Sequence, residues 1–380
     1  MSRAYFDLTA CQSKGRQAPK SISNIIDIGL KIGEIAAKLC PLFNPGLPPV
    51  VIAAIKPAGL PVLSDNKDLS SVIKALADDL RLEILRLLKN ETFGVLEICR
   101  ILDIRQSALS HHLKILATAG LLTTRREGNS IFYRRSLILE DDPLQEFKRS
   151  AFANIDRLTL PSRVLQRIKV IQQERAQLSL NFFTRHADKF REKQGLVTEY
   201  QQYAGSLQDL IKGIGLNKKA TVMEVGPGEG ELLTRLAKQF TQVIAVDNSK
   251  EMLDKARSAI HAIKNDNVDF LCGETSHALR RKLHCDLLIF NMVLHHISSP
   301  ARTFKDAAKL LNPQGVLLIV DLCSHDQDWV RDACGDLWLG FETQELTGWA
   351  NSAGLVEGQS LFLGLRNGFQ IQMRLFMRAA

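Results

Sequence analysis

The spacing of apolar residues changes character along this chain of 380 residues. Between Val72 and Leu88 it is helical (Val72, Ile73, Leu76, Leu80, Leu82, Ile84, Leu85, Leu87, Leu88), which predicts one core-facing helix. Val95–Leu102 reads as a short helix and Asp103-Ile104-Arg105 as a turn. Ser107–Ala119 reads as a further helix, with Ser107 at its N-cap and Gly120 as its left-handed terminator. Leu121–Arg126 and Ser130–Arg135 then alternate as strands around Glu127-Gly128-Asn129. Helices followed by a two-stranded wing predict a winged helix-turn-helix, mainly α with a β wing, over residues 69–137.

From residue 218 to 380 the rhythm becomes strand, helix, strand. The predicted strands are Thr221–Val225, Gln242–Val246, Val268–Cys272, Cys285–Asn291, Gly315–Asp321, Glu357–Leu363 and Phe369–Met377. Seven strands with helices in the gaps predict an α/β Rossmann-like, doubly wound sheet. No helix separates the last two strands, so they should form an antiparallel hairpin at the sheet edge. Residues 138–217 read as polar helices broken at Pro161, a connector whose later part caps the next domain. Residues 1–68 are the least regular. Ile22–Cys40 has helical spacing, and the proline- and glycine-rich stretch after it argues against a packed domain. The chain is therefore expected to be multidomain.

Composition changes this picture little. Hydrophobic residues at 45% and charged residues at 24% are ordinary for globular proteins, with material for two cores. A net charge of +8 permits a polyanionic partner without requiring one. Seven scattered cysteines with no CxxC pair point to a reducing, cytoplasmic compartment and give no metal-ligand spacing. No signal peptide is evident, and the apolar run Pro48–Ile55 is too short to span a bilayer, so no membrane insertion is expected.

The densest chemistry lies at Glu224-Val225-Gly226-Pro227-Gly228-Glu229-Gly230, after one strand and before a helix. Glycines let the backbone turn sharply and approach a ligand closely, but such a loop could serve several nucleotides. The next strand ends in Asp247-Asn248, where an acid can bond both hydroxyls of a ribose. Glu274 follows the third strand, within reach of an adenine. Asn291 ends the fourth, at the switch point of an open sheet. These four elements in this order resemble class I S-adenosylmethionine (SAM)-dependent methyltransferases, especially the ubiquinone/menaquinone-biosynthesis branch. The resemblance implies SAM as cofactor, held by Glu224, Gly226, Gly228, Gly230 and Asp247, with Asn248, Glu274 and Asn291 beside it. His295, His296 and His325 are the candidate bases for an acceptor that must lose a proton. Trp329, Asp336, Trp338 and Phe341 are candidates for a wall around a small-molecule methyl acceptor. Asn181–Ala187 resembles the helix that covers the cofactor in such enzymes.

The segment Leu76 to Arg135, with Ser107-Ala108-Leu109-Ser110-His111-His112-Leu113-Lys114 at its centre, resembles the arsenical-repressor (ArsR) family of regulators. That implies a homodimer on a double-stranded DNA operator, one recognition helix per half-site. Gln106, Ser107, Ser110, His111 and Lys114 would face the DNA, and Arg125, Arg126 and Arg134 of the wing would meet phosphates. The Cys-Val-Cys metal-sensing run of many relatives aligns here with Gly94-Val95-Leu96, so both ligands are absent. The expected protein is an ArsR-type regulator that methylates a small molecule. The alternative is a regulator whose methyltransferase fold only senses SAM or S-adenosylhomocysteine.

Overall fold

The computed structural model describes residues 66–127 and 130–379. The helix expected at Ile22–Cys40 lies outside them.

The winged helix comprises α1 (Asn66–Leu76), α2 (Asp79–Leu87), β1 (Phe93–Gly94), α3 (Val95–Leu102), α4 (Gln106–Thr118), β2 (Leu122–Glu127) and β3 (Ser130–Arg135). The apolar run 72–88 is two helices, not one. Asp78 breaks it by accepting the Arg81 backbone N–H at 2.9 Å, while the Arg81 side chain caps the end of α1 at Ala75 O and Lys74 O. Ser107 is not the N-cap of α4: the helix starts one residue earlier, with Arg105 at the cap and no side-chain cap bond. Gly120 is left-handed at φ 65°, as expected. The two-residue strand β1, too short to leave a pattern, pairs with β3 through Phe93 and Gly94. The apolar core of this unit runs past residue 137, taking in Leu144, Phe152, Ile155, Val164 and Ile171. These come from the segment before α5 (Gln145–Ile155), from α5 itself, and from α6 (Ser162–His186), a helix of 25 residues.

After α7 (Phe190–Gly195) and α8 (Tyr200–Gly213) comes a seven-stranded sheet. Its strands are β4 (Thr221–Val225), β5 (Gln242–Asp247), β6 (Val268–Cys272), β7 (Cys285–Asn291), β8 (Leu311–Leu322), β9 (Leu355–Gly364) and β10 (Gln370–Arg378). The order is β6-β5-β4-β7-β8-β10-β9, parallel through β8. The terminal hairpin inserts β10 antiparallel between β8 and β9. Alternate residues of each strand enter opposite cores, Leu287 and Ile289 one, Leu288 and Phe290 the other. On the first face pack α8, α9 (Glu231–Gln239) and α10 (Lys250–Ala262). On the second pack α11 (Thr275–Arg280), α12 (Pro300–Leu310) and α14 (Thr343–Ser352), the last preceded by the short α13 (Trp329–Cys334). The strand order reverses between β4 and β7, which opens a crevice at their carboxyl ends. No helix among the described residues is long and apolar enough to cross a membrane.

Because Asp78 separates α1 from α2, Asp78→Ala should lower stability by about 1 kcal/mol. In urea denaturation the midpoint should fall while the slope stays unchanged.

Candidate functional site

The glycine loop lies at the mouth of this crevice. Gly226, Gly228 and Gly230 all have positive φ, at 68°, 57° and 87°. A Cβ on Gly226 would stand 2.3 Å from a methyl of Val293, so the backbone there has no room for a side chain. Gly230 serves packing instead: a Cβ would press on Ala256 and Ala259 of α10, so it lets α9 lie close to its neighbour. Gly226 and Gly228 line two adjoining cavities. The larger, about 460 Å³, is lined by Asp247, Asn248, Gly273, Glu274 and Thr275. The smaller, about 90 Å³, lies toward Tyr200, Tyr203 and Asn291. Of the eight candidate cofactor residues, six line these cavities. Gly230 and Glu224 do not.

Glu224 is buried beneath the loop, with one carboxylate oxygen lacking any hydrogen-bond partner. Burial pushes its pKa from 4.5 up to about 8. Asp247 ends β5 at the cavity wall, and its Oδ1 accepts the Ser249 N–H at 2.8 Å. Burial raises it to about 6, against the bonds from Ser249 and Asn248. Tyr203 donates its hydroxyl to Asn291 Oδ1 at 3.1 Å. An unmatched carboxylate below a side-chain-free cradle, with a second carboxylate beside it, fits a ligand carrying a cationic amino acid end and a ribose.

The three histidines separate. His296 lines the larger cavity, with Phe183 of α6 edge-on at 4.7 Å. Burial and the neighbouring His295 hold it well below its ordinary pKa, so it is neutral. His295 lies behind it, Nδ1 bonded to Asp321 Oδ1 at 2.7 Å. Burial alone would lower its pKa, but Asp321 and Asp336 raise it to about 9. His325 lies away from both cavities, edge-on to Phe369, and burial followed by His295 and Arg125 depress it to about 4.

The aromatic stretch does not line the cavity either. Trp338 is buried, donates Nε1–H to Ile297 O at 2.8 Å and stacks under Arg175 at 4.7 Å. Phe341 is core, Trp329 is 41% exposed on α13, and Asp336 faces the buried histidines. These residues follow β8, but their loop folds back onto the sheet. The wall opposite the glycines comes instead from α6, through Lys169, Gln172, Gln173, Ala176, Ser179 and Phe183, and from the segment Ile297–Ser299.

Helix α6 also carries a contact the sequence did not signal. Arg175, 7% exposed, grips the Glu97 carboxylate of α3, with Nε–Oε1 at 2.8 Å. The same guanidinium donates to Thr92 O of the winged helix and, at 3.4 Å, to Ser298 O of the cavity wall. Nearby, Ser299 Oγ donates to Glu91 at 2.6 Å. In an amphipathic helix rich in arginine, nothing distinguishes residue 175 from its solvated neighbours.

On the recognition helix, Gln106, Ser107, Ser110, His111 and Lys114 are all exposed, opposite the buried Leu109, Leu113 and Leu116. The wing arginines divide by strand alternation. Arg125 and Arg134 share one face with Phe132 and pair with the buried Glu345 of α14, Arg134 at 3.1 Å. Both are thus turned to the sheet domain and withdrawn from the set expected to meet phosphates. Arg126 lies on the other face and is exposed.

Glu224 ionises near 4.5 in the unfolded chain but near 8 in the fold, so between those values the native state binds more protons. Stability of the ligand-free protein should therefore fall as pH rises from about 5 to about 8, with a contribution of up to about 1.4 kcal/mol per pH unit. Glu224→Gln should flatten that slope in urea titrations and stabilise the ligand-free chain at pH 8.

A family model described as a methyltransferase domain matches residues 198–355, and one described as bacterial regulatory protein, arsR family, matches residues 78–124. The arsenical resistance operon repressor of Staphylococcus aureus is 38% identical over 79 residues, covering 21% of this chain and 76% of the repressor. The tRNA 5-carboxymethoxyuridine methyltransferase of Escherichia coli is 31% identical over 110 residues, 28% of this chain and 42% of that enzyme. The ubiquinone biosynthesis O-methyltransferase of Coxiella burnetii is 27% identical over 148 residues, 35% of this chain and 62% of its own length. The chain thus spans less than two thirds of either methyltransferase. With an exposed recognition helix and wing ahead of a glycine-cradled, seven-stranded α/β domain, the chain belongs to the bacterial arsR regulatory-protein family and carries a class I methyltransferase domain fused behind its winged helix.

Proposed function

We propose that this protein is a homodimeric, cytoplasmic DNA-binding regulator whose carboxy-terminal domain binds SAM and transfers its methyl group to a small molecule. The observation that carries this reading is the cavity of about 460 Å³ formed jointly by the glycine cradle, Asp247 and Glu274. Asp247 would hold the ribose hydroxyls and Glu274 would lie by the adenine. The 90 Å³ cavity, with Asn291 and the Glu224 carboxylate beneath, would take the amino acid end. Bound there, SAM supplies a methyl group on a sulfonium that is already a good leaving group. The chain then needs chiefly to align the acceptor and exclude water, and α6 with Phe183 roofs the cavity for both. His296, the one candidate histidine on this cavity, is neutral and can take a proton from an acceptor that carries one.

The sensing alternative also has an observation in its favour. Arg175 joins the cavity wall to α3, the helix before the recognition helix, so a ligand that shifts α6 also strains the winged helix. Such coupling requires only that the ligand prefer one of two arrangements.

Calorimetry should give one SAM per chain, with Asp247→Ala binding at least tenfold more weakly; no binding by the wild type would overturn the proposal. Label from methyl-labelled SAM should reach a small molecule in cell extract if the domain is catalytic; its reaching none would leave the sensor. In gel shifts, Lys114→Ala and Arg126→Ala should each weaken operator binding and reduce the salt slope by about 1. Saturating SAM should change operator affinity by about fivefold or more. Arg175→Met should remove that change while the protein still binds both ligands.

A further inference from the structure

Behind the cavity wall, His296 belongs to a buried cluster whose other members the proposed methyl transfer does not use. We propose that His295, His296 and Asp336 bind one divalent transition-metal ion. The three side chains are all buried, and each offers a ligand atom within 4.8 Å of the others. Asp336 lies 40 residues beyond the adjacent His295 and His296, so no motif spacing announces the set.

Asp336 supplies the first argument. Its side chain is 1% exposed, yet neither carboxylate oxygen has a hydrogen-bond partner. A carboxylate in that position is strongly disfavoured unless a cation meets it directly. Imidazole nitrogens are what surround it: His295 Nε2 at 3.9 Å and His296 Nδ1 at 3.8 Å from Oδ1, the latter also 3.2 Å from the Gly335 carbonyl, a bond that gives way if this nitrogen takes the ion.

His295 is also set for this role. Asp321 is fully buried at the end of β8, and its oxygens accept the N–H groups of Leu294 and Leu322. It bonds His295 Nδ1 at 2.7 Å, which orients the ring and turns Nε2 toward Asp336. A carboxylate behind an imidazole is how proteins orient metal-binding histidines and raise their basicity.

Space and ligand type agree. A cavity of about 20 Å³ is lined by all three residues, together with His186, Cys334 and Lys193. That volume is room for one water or one ion. The Lys193 ammonium is engaged elsewhere, donating to Ala333 O at 3.0 Å. Ligands around a tetrahedral ion at 2.0–2.2 Å sit roughly 3.3 Å apart, so each histidine nitrogen has about half an ångström to close on Asp336. Two imidazoles and one carboxylate suit Zn²⁺ or its first-row neighbours, whereas Mg²⁺ and Ca²⁺ prefer oxygen. The ion would pin the Gly335–Asp336 turn to the His295–His296 turn behind the cavity. It would also withdraw His296 from proton transfer, leaving alignment to carry the methyl transfer. The site stands or falls independently of SAM.

The test uses the full chain, stripped with chelator and titrated with Zn²⁺ by calorimetry and with Co²⁺ by visible absorption. One ion per chain, Co²⁺ bands of a nitrogen-and-oxygen site and a Zn²⁺-dependent rise in melting temperature are expected. Asp336→Asn should weaken binding at least tenfold. Asp321→Asn, which leaves all three ligands in place, should weaken it about 10–100-fold. Cys272→Ser, which removes an exposed thiol outside the cluster, should leave stoichiometry and Co²⁺ bands unchanged. Absence of both Zn²⁺ uptake and Co²⁺ bands in the wild-type chain would overturn the proposal, whether or not the variants fold. So would uptake indifferent to Asp336→Asn.

Discussion

A guanidinium cannot be deprotonated in a protein, so once buried it must find acceptors for its donors and a counter-charge. Arg175 finds them in different parts of the chain: a carboxylate from α3, the carbonyl of Thr92 ahead of it, and the Ser298 carbonyl from the wall of the cleft. Phe93 and Trp338 provide ring faces from the two sides. Moving the winged helix away from the sheet domain would strand this charge, which is worse than never having buried it. The relative placement of recognition helix and cleft therefore depends on this residue as well as on apolar contact. The Glu91–Ser299 bond and the Glu345 pairs with Arg125 and Arg134 repeat the device around it.

Much of the fold was legible because strand and helix periods report burial directly. Six of the seven strands lie within a residue or two of their expected ends at both termini. The exception is β8, which begins at Leu311, four residues early, ahead of the polar Asn312-Pro313-Gln314 break. The glycine loop was legible for a different reason: the motif states backbone conformations that only glycine tolerates, and the positive φ values at all three glycines bear that out.

What was not legible depends on which face of an element meets which neighbour. Alternation tells that Arg125 and Arg126 point opposite ways, but not which way the sheet domain lies. Trp338 and Phe341 looked like a substrate wall because they are large, apolar and follow β8. Their burial is against the sheet and Arg175, and the wall comes from α6, a segment read as a polar connector with only its end, Asn181–Ala187, as a cover for the cofactor. The single helix expected over 72–88 failed because apolar spacing carries across a break, whereas the Asp78-Asp79 pair that makes the break is visible only as a capping signal.

The same helix that walls the cleft therefore belongs to the core of the winged helix through Val164 and Ile171, and it spans the distance between the two chemistries as one rigid element. Its amino-terminal half is held by the DNA-binding unit and its middle by Arg175, while Ala176, Ser179 and Phe183 face the cleft. A ligand in that cleft cannot meet α6 without meeting a part of the DNA-binding core. Fusion here has done more than join two domains by a linker: it has made one helix a structural member of both. That is a physical basis for mutual influence whether a ligand in the cleft is consumed or only sensed.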